Sequence, residues 1–151
     1  MKAVIALGAN VGNPAENLEL ALLLLSQATD LLSISQFYTT KPVGGPPQPD
    51  FVNAVCIIES DLPPMDLLGL LHGIEKSMGR VPTEKWGPRI IDCDVITYGE
   101  LQMSEESLVL PHPFAHERRF VLEPWLEIDS QAFLAPHGFV RDILAQLPPA
   151  Q

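Results

Sequence analysis

Apolar residues in the first two thirds of the chain recur at two spacings, and each spacing predicts one kind of element. Two helices are predicted from core-facing stripes at the positions i, i+3, i+4 and i+7. The first stripe consists of Leu18, Ala21, Leu22 and Leu25, and the second of Leu67, Leu68, Leu71, Ile74 and Met78. Runs rich in β-branched and aromatic residues predict four strands, at residues 2–8, 31–39, 51–60 and 90–98.

Capping and turn residues set the limits of these elements. Asn13 can cap the first helix, and Pro14 then stands at its first position, where proline is favoured. The proline pair at 63–64 opens the second helix and Gly79 ends it. The segment 41–49 contains four prolines and two glycines, so it is predicted to be a loop.

The predicted order of elements is β-α-β-β-α-β. This order is typical of an α+β, ferredoxin-like fold, with an antiparallel-mixed sheet and both helices on one face. The last third of the chain, from Leu101 to Gln151, is predicted to be an irregular extension with short helices near 120–126 and 139–147. We expect residues 1–151 to form a single domain, because this length is close to the common domain size.

Composition narrows the classes of partner. The chain has 9 lysines and arginines against 19 acidic residues, with a net charge of −10, so it has no general attraction for nucleic acid or anionic membranes. No apolar run approaches the ~18 residues needed to cross a bilayer, and the apolar stretch after Lys2 is too short for a signal peptide. Cys56 and Cys93 form no C-x-x-C pair and are expected to be buried free thiols in a reducing cytoplasm.

The basic residues of this acidic chain are concentrated in a few places. Six of the nine fall in three short segments: Lys41, Arg80, Lys85, Arg89, Arg118 and Arg119. Local clusters of this kind suggest a small polyanionic ligand, since arginine suits bidentate contact with phosphate. Ordinary surface charge balance is the alternative interpretation.

Two acids stand in the last predicted strand. Because side chains alternate along a strand, Asp92 and Asp94 are expected on one face, roughly 7 Å apart. Like charges on a half-buried face require a positive partner, and Mg²⁺ usually takes one or two carboxylates together with substrate phosphates. The alternative is an edge strand with two solvated acids.

Other polar positions allow more than one interpretation. The glycine turn at 8–12 lacks the spacing of dinucleotide and P-loop motifs, so we predict a structural turn that could line a neighbouring pocket. His112, between two prolines, could contact phosphate or shuttle a proton, or could simply pack in a proline turn. His72 and Glu75, spaced i and i+3, would on that spacing alone be a solvated helix face.

Several motifs together carry a resemblance to a known family. They are Trp86-Gly87-Pro88-Arg89 with Asp92-x-Asp94, Pro111-His112-Pro113, the segment His116–Phe120, Gly8-Ala9-Asn10-x-Gly12 and Asp50-Phe51-x-Asn53. In this order and spacing, from about residue 3 to about residue 128, the chain closely resembles 6-hydroxymethyl-7,8-dihydropterin pyrophosphokinase, a folate-pathway family of ferredoxin-like fold.

The resemblance implies an activity and a set of site residues. Enzymes of the family move a diphosphoryl unit from ATP to the pterin hydroxymethyl oxygen and release AMP, so ATP would be the co-substrate and two Mg²⁺ ions the cofactors. It implies Asp92 and Asp94 as metal ligands and Arg80 and Arg89 as catalytic arginines. The implied ATP-binding residues are His72, Glu75, Trp86, His112 and Arg118. The implied substrate-binding residues are Thr40, Val43, Gly44, Phe51, Asn53, Asp92 and Phe120.

The resemblance also implies how the ligands are held. Phe51 and Phe120 would sandwich the flat pterin ring, and the loops at 40–44 and 80–89 would form a lid that excludes water. Departures occur at Pro82, Thr83 and Glu84, where some relatives are more basic, at Cys93, and at Phe51, which lacks a hydroxyl group. The expected partners are ATP and a dihydropterin, with no nucleic acid and no membrane, and the expected state is a monomer. The alternatives are a non-catalytic ligand-binding module and a metal-dependent phosphotransferase with another acceptor.

Overall fold

Residues 1–42, 44–80 and 87–148 are described by the computed structural model. The first elements are β1 (Lys2–Ala9), α1 (Pro14–Ala28), β2 (Asp30–Ile34), β3 (Tyr38–Thr40), β4 (Phe51–Glu59), α2 (Pro64–Ser77) and β5 (Asp92–Tyr98). They are followed by β6 (Met103–Ser104), β7 (Val109–Leu110), α3 (Arg119–Ile128), β8 (Phe133–Leu134), β9 (Gly138–Phe139) and α4 (Val140–Gln146). A 3-10 turn at Ala115–Glu117 precedes α3.

The main sheet has five strands. Their order is β2-β4-β1-β5, and β3 pairs with the first part of β4. Each of these pairings is antiparallel, so the sheet that we expected to be antiparallel-mixed is antiparallel throughout the described strands. β5 therefore forms one edge of the sheet and β2 the other.

One predicted strand is divided in two. The sequence predicted a continuous strand over 31–39, but the structure has β2 and β3 with a kink between them. The cause is Ser35, whose buried hydroxyl accepts a hydrogen bond from the Val55 N–H and donates one to the Gln36 carbonyl. A side chain that bonds to the backbone in this way competes with the regular ladder, so the strand breaks at this point.

The two predicted helices are confirmed, together with their ends. The Asn13 side chain accepts a hydrogen bond from the Glu16 N–H, and Pro14 occupies the first helical position of α1. α2 begins at Pro64, and Gly79 just after its end has φ = 91°, a conformation that glycine adopts without strain. The buried residues of α1 are the predicted stripe, while Leu67, Leu71 and Ile74 are the most deeply buried apolar residues of α2.

The sheet separates two apolar cores. On one face, Ala3, Ile5 and Leu7 of β1 pack with α1 and α2, as the sequence predicted. On the other face, Val4, Val55 and Ile96 pack with residues of α3 and the chain after it. The C-terminal extension has the two predicted helices close to their expected positions, but it is also a second layer that covers this face of the sheet.

Two further findings concern the cysteines and the possibility of a membrane-spanning helix. Cys56 and Cys93 are free and buried, as expected. Within the described residues, none of the helices has the length and apolar character required to cross a bilayer.

Candidate active site

A polar cleft lies beside the edge strand β5. Its volume is about 320 Å³, and its walls come from α2, β5 and the segment around β7. The lining residues are Leu68, His72, Glu75, Arg80, Asp92, Cys93, Asp94, Val95, Glu106, Ser107, Leu108, Val109, His112 and Pro113. Six of the residues predicted from the sequence are among them: His72, Glu75, Arg80, Asp92, Asp94 and His112.

The two aspartates of β5 form the charged centre of this cleft. Both are half-buried and, two residues apart on a strand, they share a face, as predicted. Burial and the neighbouring Asp92 raise the pKa of Asp94 to about 7, although Arg118 and Arg80 oppose this change. Holding both carboxylates ionised here is therefore unfavourable without more positive charge.

Arg80 supplies part of that charge. Its Nη1 donates to Glu75 Oε2 at 2.6 Å and to Asp92 Oδ1 at 3.0 Å. Glu75 Oε2 also accepts a hydrogen bond from the Cys93 N–H at 2.8 Å. Burial raises the pKa of Glu75, while the Cys93 bond and the Arg80 charge act in the opposite direction. Glu75 therefore joins the end of α2 to β5 and holds the Arg80 guanidinium at the cleft.

The structure favours one protonation state and one tautomer for His112. Burial and the positive charge of Arg118 lower the pKa of His112 to about 4, although Asp92 raises it. The ring is therefore neutral at pH 7. Its Nδ1 accepts a hydrogen bond from the Phe114 N–H at 3.2 Å, which places the single ring proton on Nε2. His112 can thus donate a hydrogen bond to an anionic oxygen without carrying a charge.

The Arg118 guanidinium lies close to two phenylalanine rings. Its guanidinium carbon is 5.7 Å from the ring centroid of Phe114 and 5.6 Å from that of Phe120. Its charge also lowers the pKa values of Asp94 and His112, so it acts on the cleft from this position. Two predicted residues, Arg118 and Phe120, are therefore in contact at the start of α3.

A second group of predicted residues lies on β3 and β4. Asn53 Nδ2 donates to Thr40 Oγ1, and Thr40 is the register partner of Phe51. Asn53 is buried, whereas Phe51 is partly exposed. Phe51 and Phe120 are carried by different elements, and their facing each other across a pterin ring stays a prediction.

Gly8 connects the two groups. In the sheet it is the register partner of Asn53 on β4 and of Asp92 on β5. With strands about 4.8 Å apart, Asn53 and Asp92 are separated by roughly 10 Å on the same face. A Cβ atom on Gly8 would come within 2.8 Å of Asn53 Oδ1, so only glycine leaves room for that side chain.

Asn10 was named above only as part of the Gly8–Gly12 motif, with no role of its own. It is buried, and its Nδ2 donates to Gln48 Oε1 and to the Pro49 carbonyl, each at 2.9 Å. Its Oδ1 accepts from the Arg89 N–H at 2.9 Å, and its own N–H donates to the Arg89 carbonyl. Asn10 thus ties the loop before β4 to the loop before β5. The available signal was an asparagine within a glycine turn, since asparagine side chains commonly hydrogen-bond to backbone groups in turns.

Several residues predicted from the sequence lie outside the cleft or outside the described residues. Val43, Trp86 and residues 81–86 of the predicted lid loop at 80–89 lie outside the described residues. Gly44 is exposed with φ = 74°. Arg119, one of the clustered cations, donates instead to Glu123 and to the Pro148 carbonyl, and so belongs to the contact between α3 and the C-terminal segment. Cleft-lining residues such as Leu68 and the segment 106–109 were not predicted, since nothing in their sequence distinguishes them from ordinary surface or core.

Comparison with known proteins gives a consistent result. The family model for 7,8-dihydro-6-hydroxymethylpterin-pyrophosphokinase (HPPK) matches residues 4–130. A curated 2-amino-4-hydroxy-6-hydroxymethyldihydropteridine pyrophosphokinase of Haemophilus influenzae is 42% identical over 146 residues, covering 95% of this chain and 91% of the relative. One of the same name from Methylorubrum extorquens is 40% identical over 151 residues, covering 99% of this chain and 95% of the relative.

Solved structures agree on the fold. A crystal structure of Plasmodium falciparum HPPK-DHPS with pteroate matches with a TM-score of 0.76 at 14% identity, over 96% of this chain. This chain spans 42% of that larger protein. On the family match and the two close relatives, the chain belongs to the 7,8-dihydro-6-hydroxymethylpterin-pyrophosphokinase family.

Proposed function

We propose that this chain transfers a diphosphoryl group from ATP to the hydroxyl oxygen of 6-hydroxymethyl-7,8-dihydropterin, a step of folate biosynthesis. The hydroxyl oxygen attacks the β-phosphorus and loses its proton. The bond from that phosphorus to the oxygen on the α-phosphate breaks, and AMP leaves with the bonding electron pair. Family membership supports this reaction, and one structural observation supports it here: Asn53, Gly8 and Asp92 are neighbours across three adjacent strands, so a ring bound at Asn53 would lie beside the carboxylate pair.

The ATP half of the proposal rests on the cleft at β5. His72, Glu75, Trp86, His112 and Arg118 are proposed to bind the nucleotide. His112 supports this role because its neutral ring offers an Nε2–H donor to a phosphate oxygen. Glu75 would act mainly by fixing Arg80, since its described contacts are with Arg80 and the Cys93 N–H.

A magnesium requirement is part of the proposal. Asp92 and Asp94 offer the carboxylate oxygens that a hard cation prefers. The pKa of Asp94 is raised to about 7, so its ionised form would be stabilised by an added positive charge. Mg²⁺ usually takes one or two carboxylates together with substrate phosphates, so the pair would suffice beside bound ATP. Asp92 and Asp94 would hold two such ions, and the ions would neutralise charge on the polyphosphate.

The catalytic arginines are proposed to be Arg80 and Arg89. Arg80 forms an ion pair with Asp92 and lines the cleft in which the phosphates are proposed to bind. Arg89 has its backbone fixed on both sides by Asn10. Arginine side chains placed in this way stabilise the charge that develops on the phosphoryl oxygens in the transition state.

The pterin half rests on β3, β4 and the start of α3. Asn53 offers a donor and an acceptor to the edge of the ring, and Thr40 orients it. Phe51 and Phe120 are proposed to stack on the two faces of the ring, with Val43 and Gly44 contributing backbone contacts. Such aromatic contacts contribute roughly 0.5–1.5 kcal/mol each beyond area burial.

The wider organisation is also proposed. Residues 1–151 would be a single ferredoxin-like domain, supported by the strand order and the two helices on one face of the sheet. It would act as a monomer, in a reducing cytoplasm that the two free buried cysteines suit. Sedimentation analysis at several protein concentrations would test the monomer, since a concentration-dependent mass would contradict it.

The decisive experiment identifies the nucleotide product. The protein is incubated with ATP, Mg²⁺ and 6-hydroxymethyl-7,8-dihydropterin, and the nucleotides are separated by ion-exchange chromatography. We expect AMP in equal amount to a pterin diphosphate, and neither product when pterin is omitted or EDTA is added. ADP in place of AMP would refute diphosphoryl transfer, and no nucleotide turnover at all would indicate a binding module.

A further inference from the structure

The kink between β2 and β3 is held from outside the sheet by an acid on α3. The Gln36 N–H donates to both carboxylate oxygens of Glu127, at 3.0 and 3.2 Å. The Tyr38 hydroxyl donates to Glu127 Oε1 at 2.5 Å. This bond is the main reason that the pKa of Tyr38 rises to about 12, so the hydroxyl keeps its proton and stays a donor.

This contact joins segments that are far apart in the chain. Glu127 is 91 residues from Gln36 and lies near the end of α3. Ser35 fixes the inner side of the same kink, because its hydroxyl and its N–H both bond to Val55 of β4. The start of β3 is therefore held on two sides, by β4 within the sheet and by Glu127 from the layer above it.

β3 is short, and it carries part of the proposed pterin site. It has three residues, which pair with β4 through Tyr38 to Asn53 and Thr40 to Phe51 at its two ends. Thr40 Oγ1 accepts the hydrogen bond that orients the Asn53 amide. With only three register pairs, β3 depends on contacts outside the sheet for its position.

α3 carries another part of that site at its other end. Phe120 is in its first turn, and Arg118 stands immediately before it. Glu127 therefore couples the element that presents Phe120 to the strand that presents Thr40. Buried Val121, Leu122 and Trp125 pack α3 onto the same face of the sheet, and the Glu127 bonds add a polar contact between α3 and the start of β3.

We propose that Glu127 is a positioning residue for the dihydropterin, acting through Tyr38 and β3 on Thr40 and Asn53. The inference rests on the proposed function, since it assumes that the ring binds beside Asn53. Glu127 touches neither substrate. Its effect is specific to one substrate, because the cleft at β5 is formed by α2, β5 and the segment around β7, whereas the described hydrogen bonds of Glu127 are with Gln36 and Tyr38.

The test measures the two substrates separately. Binding of 6-hydroxymethyl-7,8-dihydropterin and of a non-hydrolysable ATP analogue with Mg²⁺ is measured by calorimetry for wild type, Glu127→Ala, Glu127→Gln and Tyr38→Phe. Loss of charge-assisted hydrogen bonds should weaken dihydropterin binding by about tenfold in Glu127→Ala, with ATP-analogue binding changed by less than about twofold. Glu127→Gln keeps an acceptor oxygen and should restore most of the affinity, while Tyr38→Phe should lie between them.

Glu123→Ala is the matched control. It also removes an acid from α3 and breaks an ion pair, with Arg119, but it leaves the Glu127 bonds intact. It should bind dihydropterin like wild type. Equal weakening of both ligands in Glu127→Ala, or an effect of Glu123→Ala as large as that of Glu127→Ala, would overturn the positioning role.

A measurement without ligand separates this inference from the proposed function. Amide hydrogen exchange over residues 36–40 should be faster in Glu127→Ala than in wild type, and unchanged over β1 and β5. Unchanged exchange over 36–40 would overturn the role of Glu127. Wild-type protein that binds no dihydropterin would overturn the proposed function, whatever the exchange data show.

Discussion

Replacing Asp94 by asparagine should make the ligand-free protein more stable. Burial and the neighbouring Asp92 raise the pKa of Asp94 from its ordinary value of 3.8 to about 7. Between these two values the folded protein holds a proton that the unfolded chain has already released. The free energy of unfolding therefore falls as the pH rises from about 4 to about 7, and the destabilisation is complete above pH 7.

The size of the effect follows from the pKa change. One pKa unit corresponds to about 1.4 kcal/mol. The change from 3.8 to about 7 sets an upper limit of about 4 kcal/mol. Because Asp94 is only half-buried, screening by water should reduce this to about 2 kcal/mol. Asparagine has nearly the same shape without the charge, so Asp94→Asn should gain this amount at pH 8.

Urea unfolding in EDTA at pH 4.5 and pH 8 is the appropriate assay. Asp94→Asn should exceed wild type by about 2 kcal/mol at pH 8 and by much less at pH 4.5. Asp92→Asn is the matched control: it also removes the charge that disfavours ionised Asp94, but it weakens the bond from Arg80, so it should gain clearly less than Asp94→Asn. A variant less stable than wild type at pH 8, or an equal gain at both pH values, would refute the reasoning.

The same variant tests the metal site. Adding Mg²⁺ with a non-hydrolysable ATP analogue should raise the Tm of wild type clearly more than that of Asp94→Asn, because the stabilisation by a ligand depends on its affinity. Turnover should fall by at least about a hundredfold, since the charge that holds the cation is lost. Full activity in Asp94→Asn would refute the proposed role of this carboxylate.

Three further variants test separate parts of the site. Asn10→Ala deletes three side-chain hydrogen bonds from a buried position. It should lower the free energy of unfolding, measured by urea titration, by about 2–3 kcal/mol. A loss below about 0.5 kcal/mol would mean that the two loops do not depend on Asn10. Gly8→Ala puts a methyl group 2.8 Å from Asn53 Oδ1 and should weaken dihydropterin binding more than ATP-analogue binding in calorimetry; equal weakening would contradict this. Arg89→Ala should lower kcat by about a hundredfold or more with little change in ATP affinity, and a near-normal kcat with weaker ATP binding would argue against a transition-state role.

Local signals explain which elements could be predicted. The limits of α1 follow from Asn13 and Pro14, and its buried face follows from the spacing of its leucines. These signals act within a few residues, so the sequence alone contains them. The break between β2 and β3 had no such signal, because it depends on Ser35 bonding to Val55 and on Glu127 bonding to Gln36. Both contacts join residues that are distant in the chain.

Some features of the candidate site could likewise be predicted from the sequence, and others could not. The shared face of Asp92 and Asp94 was predictable, because a strand repeats every two residues. The pairing of Arg80 with both Glu75 and Asp92 was not, since it requires the end of α2 to meet β5. On spacing alone Glu75 would have been a solvated residue, and only the packing of α2 makes it a buried acid.

The sequence by itself determined the two main helices, the approximate positions of the main strands, the paired aspartates and the family. The tertiary structure decided which of these residues meet. Strand register places Gly8 between Asn53 and Asp92, and the turn at Asn10 joins two loops. The physical reason is range: helix caps and side-chain periodicity act over a few residues, whereas register, burial and long-range hydrogen bonds exist only once the whole chain has packed.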